Sequence, residues 1–324
     1  MSAFELRALR YDNLLAFLAL LGLLRALDRA RPDWHARAFW RRAGDRGPFR
    51  PVVETEAEAR DDDLAAEAEA GVLALAAAQD FGGRRDVDFT DADYRELMTE
   101  CIGGGRSGRA EVLAALASDA VLRDAKKRTV QPTPLCTMFG QGHQHFLERL
   151  QTADLSETGM VPPLATRQDG AETIRRALFE PWDGQRDPQA GGFRWDAFED
   201  RRYAYQYADP SSNRGKVGTV PGANRLAAVA LPLFPVHPTS GGLAATGFGR
   251  DDDGHHLTWP IWEVPARLAA IRPLLAHPEL VASAPRPVRL RPHGVVEVVR
   301  ARRMSAGKFV SFSRGEPLWG GPAS

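Results

Sequence analysis

The segment Asp12–Ala30, DNLLAFLALLGLLRALDRA, decides how this chain folds. Every residue from Leu14 to Leu24 is apolar, an eleven-residue run. A helix that crosses a bilayer needs about 20 such residues, so this run is too short to span. Acidic Glu5 and Asp12 precede it and no clean small-residue cleavage site follows, which argues against a signal peptide. A helix that is apolar nearly all round belongs in a core. Asp12 or Asn13 can cap it and Pro32 ends it, so the pattern predicts a buried helix over Leu14–Ala30. Gly22 inside that helix costs about 1 kcal/mol relative to Ala, which points to a close helix crossing there.

Outward from this helix, Ala57–Gln79 is alanine-rich with an acidic start at Asp61–Asp63, as a helix N-terminus prefers. Thr90 and Asp93 have capping-box spacing ahead of a helix to Ile102, which Gly103–Gly105 stops. Gly108–Lys127 and Gly140–Gln151 read as further helices, and Arg41–Pro51 as a loop. Asp154–Asp200 is polar and punctuated by Gly and Pro, with one short helix near Ala171–Phe179. Ala223–Leu231 and Val264–Leu275 read as helices. Leu257–Trp262 is a short aromatic run, and Val288–Leu290, Val295–Arg300 and Lys308–Phe312 have the period of strands. The expected fold is α+β, with a helical N-terminal half and a mainly antiparallel sheet towards the C-terminus. Residues 1–153 form a mostly helical region and 154–324 an α+β region with basic C-terminal strands; one compact domain is the alternative.

The chain has 324 residues, 44% hydrophobic and 26% charged, with a formal net charge of zero. No global field therefore draws it to nucleic acid or membrane. Local balance differs: residues 51–100 hold 4 basic against 15 acidic residues, 201–250 hold 6 against 1, and 286–314 hold 8 against 1. Only four of the 42 basic residues are lysines, a bias that codon usage in a GC-rich genome explains. Cys101 and Cys136 stand 35 residues apart with no metal-type pairing and read as buried reduced thiols of a cytoplasmic protein.

Arg201–Leu233 is the richest candidate site. Tyr203, Tyr205 and Tyr207 share one face of an extended run, where they can stack bases or simply face a core. Ser211, Ser212, Asn213, Arg214 and Lys216 follow in a loop, and Arg225 lies in the helix after it. Cation, loop and helix N-terminus together suit an anion. Arg289, Arg291, Arg300 and Arg302 belong to the basic C-terminal segment, which alternation places on a sheet face. His143 and His145 lack a completing ligand set. Asp251–His256, DDDGHH, has metal-capable side chains but equally reads as a solvated hairpin turn. CIGGGRSGR at 101–109 lacks the P-loop arrangement, and no GxSxG elbow occurs. No catalytic residue and no cofactor is assigned.

Four blocks stand in order along the chain: DNLLAFLALLGLLRAL, PTPLCTMFGQGHQHFLERL, DPSSNRGKVGTVPGANRLAAVALPLFP and LTWPIWEVPARLAAIRPLL. Together they resemble proteins of type I-G (formerly I-U) CRISPR systems. The likeness is to the accessory and large-subunit-like proteins, including the family described as an extension of the helicase-nuclease. None of the blocks is a catalytic signature, and the P-loop and HD motif of the helicase-nuclease itself are missing. The resemblance implies a component of RNA-guided antiviral interference, with effector subunits, guide RNA or target DNA as partners. On this reading Arg214, Lys216 and Arg225 neutralise phosphates, Tyr205 stacks or supports the loop, and the C-terminal arginines extend the track. A metal-dependent nuclease or hydrolase using Asp251–His256, and a purely structural assembly protein, are the competing readings.

Overall fold

Ser2–Glu5 forms strand β1, which was not expected, and Leu14–Ala30 forms helix α1 over the expected residues. This computed structural model describes residues 1–44, 47–138, 145–150, 170–186, 192–199, 218–306 and 309–319. Every residue of α1 from Leu14 to Leu24 is buried. Asn13 caps the helix, its Oδ1 accepting from the Ala16 N–H at 3.2 Å while its Nδ2 donates to Asp196 Oδ1 at 2.8 Å. The side chain thus fixes both the helix start and a residue far along the chain.

Arg37–Arg42 (β2) and Phe49–Thr55 (β3) join β1 in an antiparallel sheet of order β1-β3-β2. This corrects the reading of 41–51 as a loop. On β2 only Ala38 and Trp40 are fully buried, and arginines occupy most other positions, so the usual apolar alternation is faint in the sequence.

Asp61–Ala76 (α2) and Asp91–Gly103 (α3) follow, with the Thr90–Asp93 capping box formed as the spacing predicts. Ser107–Leu116 (α4) is shorter than expected, because Ala117–Asp124 turns into strand β4 and pairs with Thr129–Pro132 (β5). Asp124 accepts from the N–H groups of Lys126 and Lys127, and Arg128 takes φ 53°, so the turn is built by side-chain capping where a continuous helix was expected. Phe146–Leu150 (α5), Gly170–Phe179 (α6) and Pro221–Ala230 (α7) complete the helical layer.

Helix α7 lies along α1 and also meets α2 and α6. Gly22 makes the first crossing possible: a Cβ there would stand 1.8 Å from the Leu226 carbonyl oxygen. Gly71 plays the same part between α2 and α1, against the Ala26 carbonyl at 2.0 Å. Backbones approach this closely only where no side chain intervenes.

The C-terminal third is sheet-rich. Val236–Thr239 (β6) pairs with Gly242–Ala245 (β7). Phe248–Asp251 (β8), Gly254–Trp262 (β9), Val295–Ala306 (β10) and Phe309–Phe312 (β11) form an antiparallel sheet of order β11-β10-β9-β8, with Glu316–Pro317 (β12) also on β10. Leu268–Leu275 (α8) lies between β9 and β10 in sequence. The expected strand at Val288–Leu290 is instead part of a short helix, Pro287–Leu290 (α9). Pro287 at its first position has the fixed φ that starts a helix, and this outweighs the local alternation.

The two layers share one core. Its buried cluster runs from Phe4 to Phe312 and draws on both sides of residue 153. Phe17 of α1 stacks on Trp259 of β9 at 5.5 Å, and the Trp259 Nε1–H donates to the Tyr11 carbonyl at 3.0 Å. The fold is α+β, with strands concentrated towards the C-terminus. Among the described residues no helix is long and apolar enough to cross a membrane. Both cysteines are buried and free.

Candidate nucleic-acid interface

Tyr203, Tyr205, Tyr207, Ser211, Ser212, Asn213, Arg214 and Lys216 lie outside the described residues, as does His143. The remaining sequence-derived candidates do not form one track. Arg225 is fully buried on α7, and its Nη1 stands 2.6 Å from Glu69 Oε2 of α2 while Nη2 donates to Glu69 Oε1 at 2.6 Å. As placed, it links two helices and presents nothing to a phosphate in solvent. Arg300 is also buried. Its Nε donates to Thr258 Oγ1 at 3.1 Å, Nη1 to Asp251 Oδ2 at 3.1 Å, and Nη2 to the Ala282 carbonyl at 2.6 Å. Arg302 is paired with Asp251 and reaches Asp253 at 3.0 Å. Arg289 and Arg291 are exposed, on α9 and the turn after it, and not on a sheet face.

These contacts also explain the DDDGHH cluster. It is the β8–β9 turn, with the Asp253 N–H donating to Asp251 Oδ1 at 3.1 Å. Hydrogen bonding from Arg302 holds the Asp251 carboxyl below its ordinary value. His256 is fully buried, and burial together with Arg300 pushes its imidazole down to about 4. Among the described residues no three His, Cys, Asp or Glu side chains are grouped to hold a metal ion. His145 instead binds Asp86 through Nδ1 at 2.7 Å.

A different set of arginines does converge. A cleft of about 310 Å³ is lined by Arg7, Arg10, Arg50 and Arg186, with Asn13, Trp182, Asp183 and Phe198. The segment after β1 supplies Arg7 and Arg10, and β3 supplies Arg50. The Ala8 N–H donates to the Leu178 carbonyl at 3.1 Å, which holds the first segment against the end of α6. Arg10 grips Asp12 with two bonds of 3.0 and 2.9 Å, and Arg314, from the far end of the chain, binds the same carboxylate. Burial pushes Asp12 up, but these two guanidinium groups outweigh it and hold the carboxyl below its ordinary value. Arg186 pairs with buried Asp196 at 2.7 Å and lies over the Phe198 ring.

A second cleft, of about 480 Å³, is lined by Phe39, Trp40, Arg41, Arg42, Phe49, Glu263 and Val296. Arg41 lies over Phe39 at 5.5 Å and Arg42 over Phe49 at 4.2 Å. The two clefts are connected by the sheet itself. In the β2–β3 ladder Arg41 is paired directly with Arg50, so the two side chains leave the same face as neighbours. Phe49 packs edge-on against Tyr11, next to Arg10 in sequence. Arg7, Arg41, Arg42 and Arg50 make no ion pair with any described residue, so positive charge here exceeds its local compensation.

None of Arg7, Arg10, Arg41, Arg42, Arg50 and Arg186 was singled out from sequence. One signal was present: residues 1–50 hold ten arginines against five acidic residues. Comparison with known proteins adds nothing to this geometry, since no family model, curated protein or solved structure matches the chain.

Proposed function

We propose that this protein binds nucleic acid through the arginine-lined face of its N-terminal sheet, as a non-catalytic, cytoplasmic component of a type I-G CRISPR effector. Its partners in this reading are guide RNA or target DNA and the neighbouring effector subunits. The observation that carries the binding reading is the Arg41–Arg50 pair. Like charges directly opposite in a ladder are destabilising, and no carboxylate of the described residues relieves this one. A polyanion laid across the sheet relieves it. Arg41 and Arg50 leave one face of the sheet and Arg7, Arg10 and Arg186 line the cleft beside Arg50, with Arg314 reaching Asp12 next to Arg10, whereas Arg42 leaves the opposite face with Phe49. Phosphate contacts of this kind bind with little regard to sequence, as a strand held by a guide requires. The place in a CRISPR effector rests on the four sequence blocks quoted above.

The reading is tested by binding of a labelled oligonucleotide to the full chain and to Arg41→Ala/Arg50→Ala. Weakened binding by a folded double variant supports it, and equal affinity contradicts it. Copurification from the native host, with identification of attached RNA, DNA and proteins, tests the effector assignment separately.

A further inference from the structure

The smaller cleft holds more positive charge than its carboxylates compensate. Arg7 and Arg50 line it and pair with no carboxylate of the described residues. Arg50 Nη1 donates to the Leu9 carbonyl at 3.4 Å, which turns the guanidinium toward the segment that carries Arg7 and Arg10. Arg10 and Arg314 share Asp12, so that group keeps a net positive charge, while Arg186 and Asp196 cancel. Asp183, which is exposed, is the one carboxylate among the lining residues and offsets one of these charges. The cleft is left with a surplus of about two positive charges. A phosphodiester inside a strand carries one negative charge, whereas a phosphate monoester at its end carries about 1.5 to 2 at pH 7. Buried Asp12 and Asp196 hold Arg10 and Arg186 in place before any ligand arrives, which lowers the ordering cost of binding. At about 310 Å³ the cleft has room for a phosphate with the sugar that bears it.

We propose that this cleft receives the terminal phosphate monoester of a nucleic-acid strand, with Arg7 and Arg50 taking its oxygens and Arg10 adding charge beside them. A guanidinium fork matches phosphate oxygens in pairs, which suits the three free oxygens of a monoester better than the two of a diester. The inference rests on the nucleic-acid reading above and adds an end to it. Internal phosphates cross the Arg41–Arg50 face, and the strand terminates in the cleft beside Arg50.

The experiment measures one internally labelled strand of about 12 nucleotides by fluorescence anisotropy at one salt concentration. The strand is used with a 5′-phosphate, with a 3′-phosphate, and with hydroxyls at both ends. The proteins are the full wild-type chain, Arg7→Ala and Arg289→Ala. The wild type should hold at least one phosphorylated form about tenfold more tightly than the hydroxyl-ended strand, and the form that gains gives the polarity of the bound strand. Arg7→Ala should reduce that preference to about threefold or less and leave affinity for the hydroxyl-ended strand nearly unchanged. Arg7 is exposed, and a thermal melt checks that the variant folds; should it not, Arg7→Gln, which keeps length and loses charge, decides in its place. Arg289→Ala, at an exposed position outside the cleft, should keep the full preference. Equal affinity for all three forms overturns the inference alone and leaves the reading of internal phosphates standing. An undiminished preference in a folded Arg7 variant, or an equal loss in Arg289→Ala, also overturns it, because the end would then be held elsewhere or by general attraction. Binding of no form overturns both readings.

Discussion

Arg41 of β2 and Arg50 of β3 face each other directly across an antiparallel ladder, and neither forms an ion pair with a described residue. A strand pair built for stability alone would set a carboxylate against one of them. Arg37, four residues earlier on the same face of β2, shows that arrangement, being paired in register with Glu54 at 3.9 Å. Arg41→Glu should therefore stabilise the fold by about 0.5 kcal/mol through an opposite-charge cross-strand pair. The same variant should bind oligonucleotide more weakly. A thermal melt alongside a binding curve checks both, and a variant that loses stability without losing affinity contradicts the assignment.

The crossing of α1 and α7 sets a second test. Ala has the better helix propensity by about 1 kcal/mol, so Gly22→Ala would stabilise an uncrowded helix. Its Cβ would instead stand 1.8 Å from the Leu226 carbonyl oxygen. The helices must separate, and a net loss of about 3 kcal/mol or more is expected. Denaturant unfolding measures it; a stabilised variant would show that the helices are not in this contact.

Arg225 and Glu69 form a buried pair, and removing one partner strands the other. Arg225→Met should cost about 3–5 kcal/mol, and Arg225→Met/Glu69→Leu should recover most of that. Oligonucleotide affinity of the folded double variant should equal the wild type. A double variant that is stable but does not bind would return Arg225 to the interface.

Much of the fold was legible where local chemistry and tertiary context agree. The eleven apolar residues of Leu14–Leu24, the Asn13 cap and the Thr90–Asp93 capping box behave as their sequence implies, and Gly22 marks a real crossing. The Asp251–Gly254 segment is the hairpin turn that one reading offered. Legibility failed where polar residues carry the pattern. Strands β2 and β3 present arginine outward, and Ala117–Asp124 leaves a helical run for a hairpin closed by Asp124. The candidate interface was largely hidden because charge counts along a chain do not report pairing. Arg225 finds Glu69 156 residues away and Arg300 finds Asp251 49 residues away, while Arg10 and Arg314 meet at Asp12.

Glu199 predicts a pH dependence. Its carboxylate accepts from the Arg194 N–H at 2.6 Å, from Asn224 Nδ2 at 3.2 Å and from the Thr219 hydroxyl. Burial, with Asp196 nearby, nonetheless pushes the carboxyl up from 4.5 to about 7. The folded value is the higher one, so folding favours the protonated form. The contribution is best below about 4.5, falls as pH rises to about 7, and is constant beyond. Relative to Glu199→Gln, which cannot ionise, the wild type should lose roughly 3 kcal/mol across that window. Parallel denaturation curves between those pH values check the sign; a difference that is flat or grows in the wild type's favour contradicts it.

The most direct measurement is the salt dependence of single-strand binding by the wild-type chain and by Arg41→Ala/Arg50→Ala. Each phosphate contact on a single strand contributes about 0.7 to the slope of log affinity against log salt, so losing two should flatten it by roughly 1.4. A shallower slope with weaker binding at low salt, from a variant that melts at or above the wild-type temperature, is the predicted result. Identical slopes for the two proteins would show that these guanidinium groups do not meet the strand.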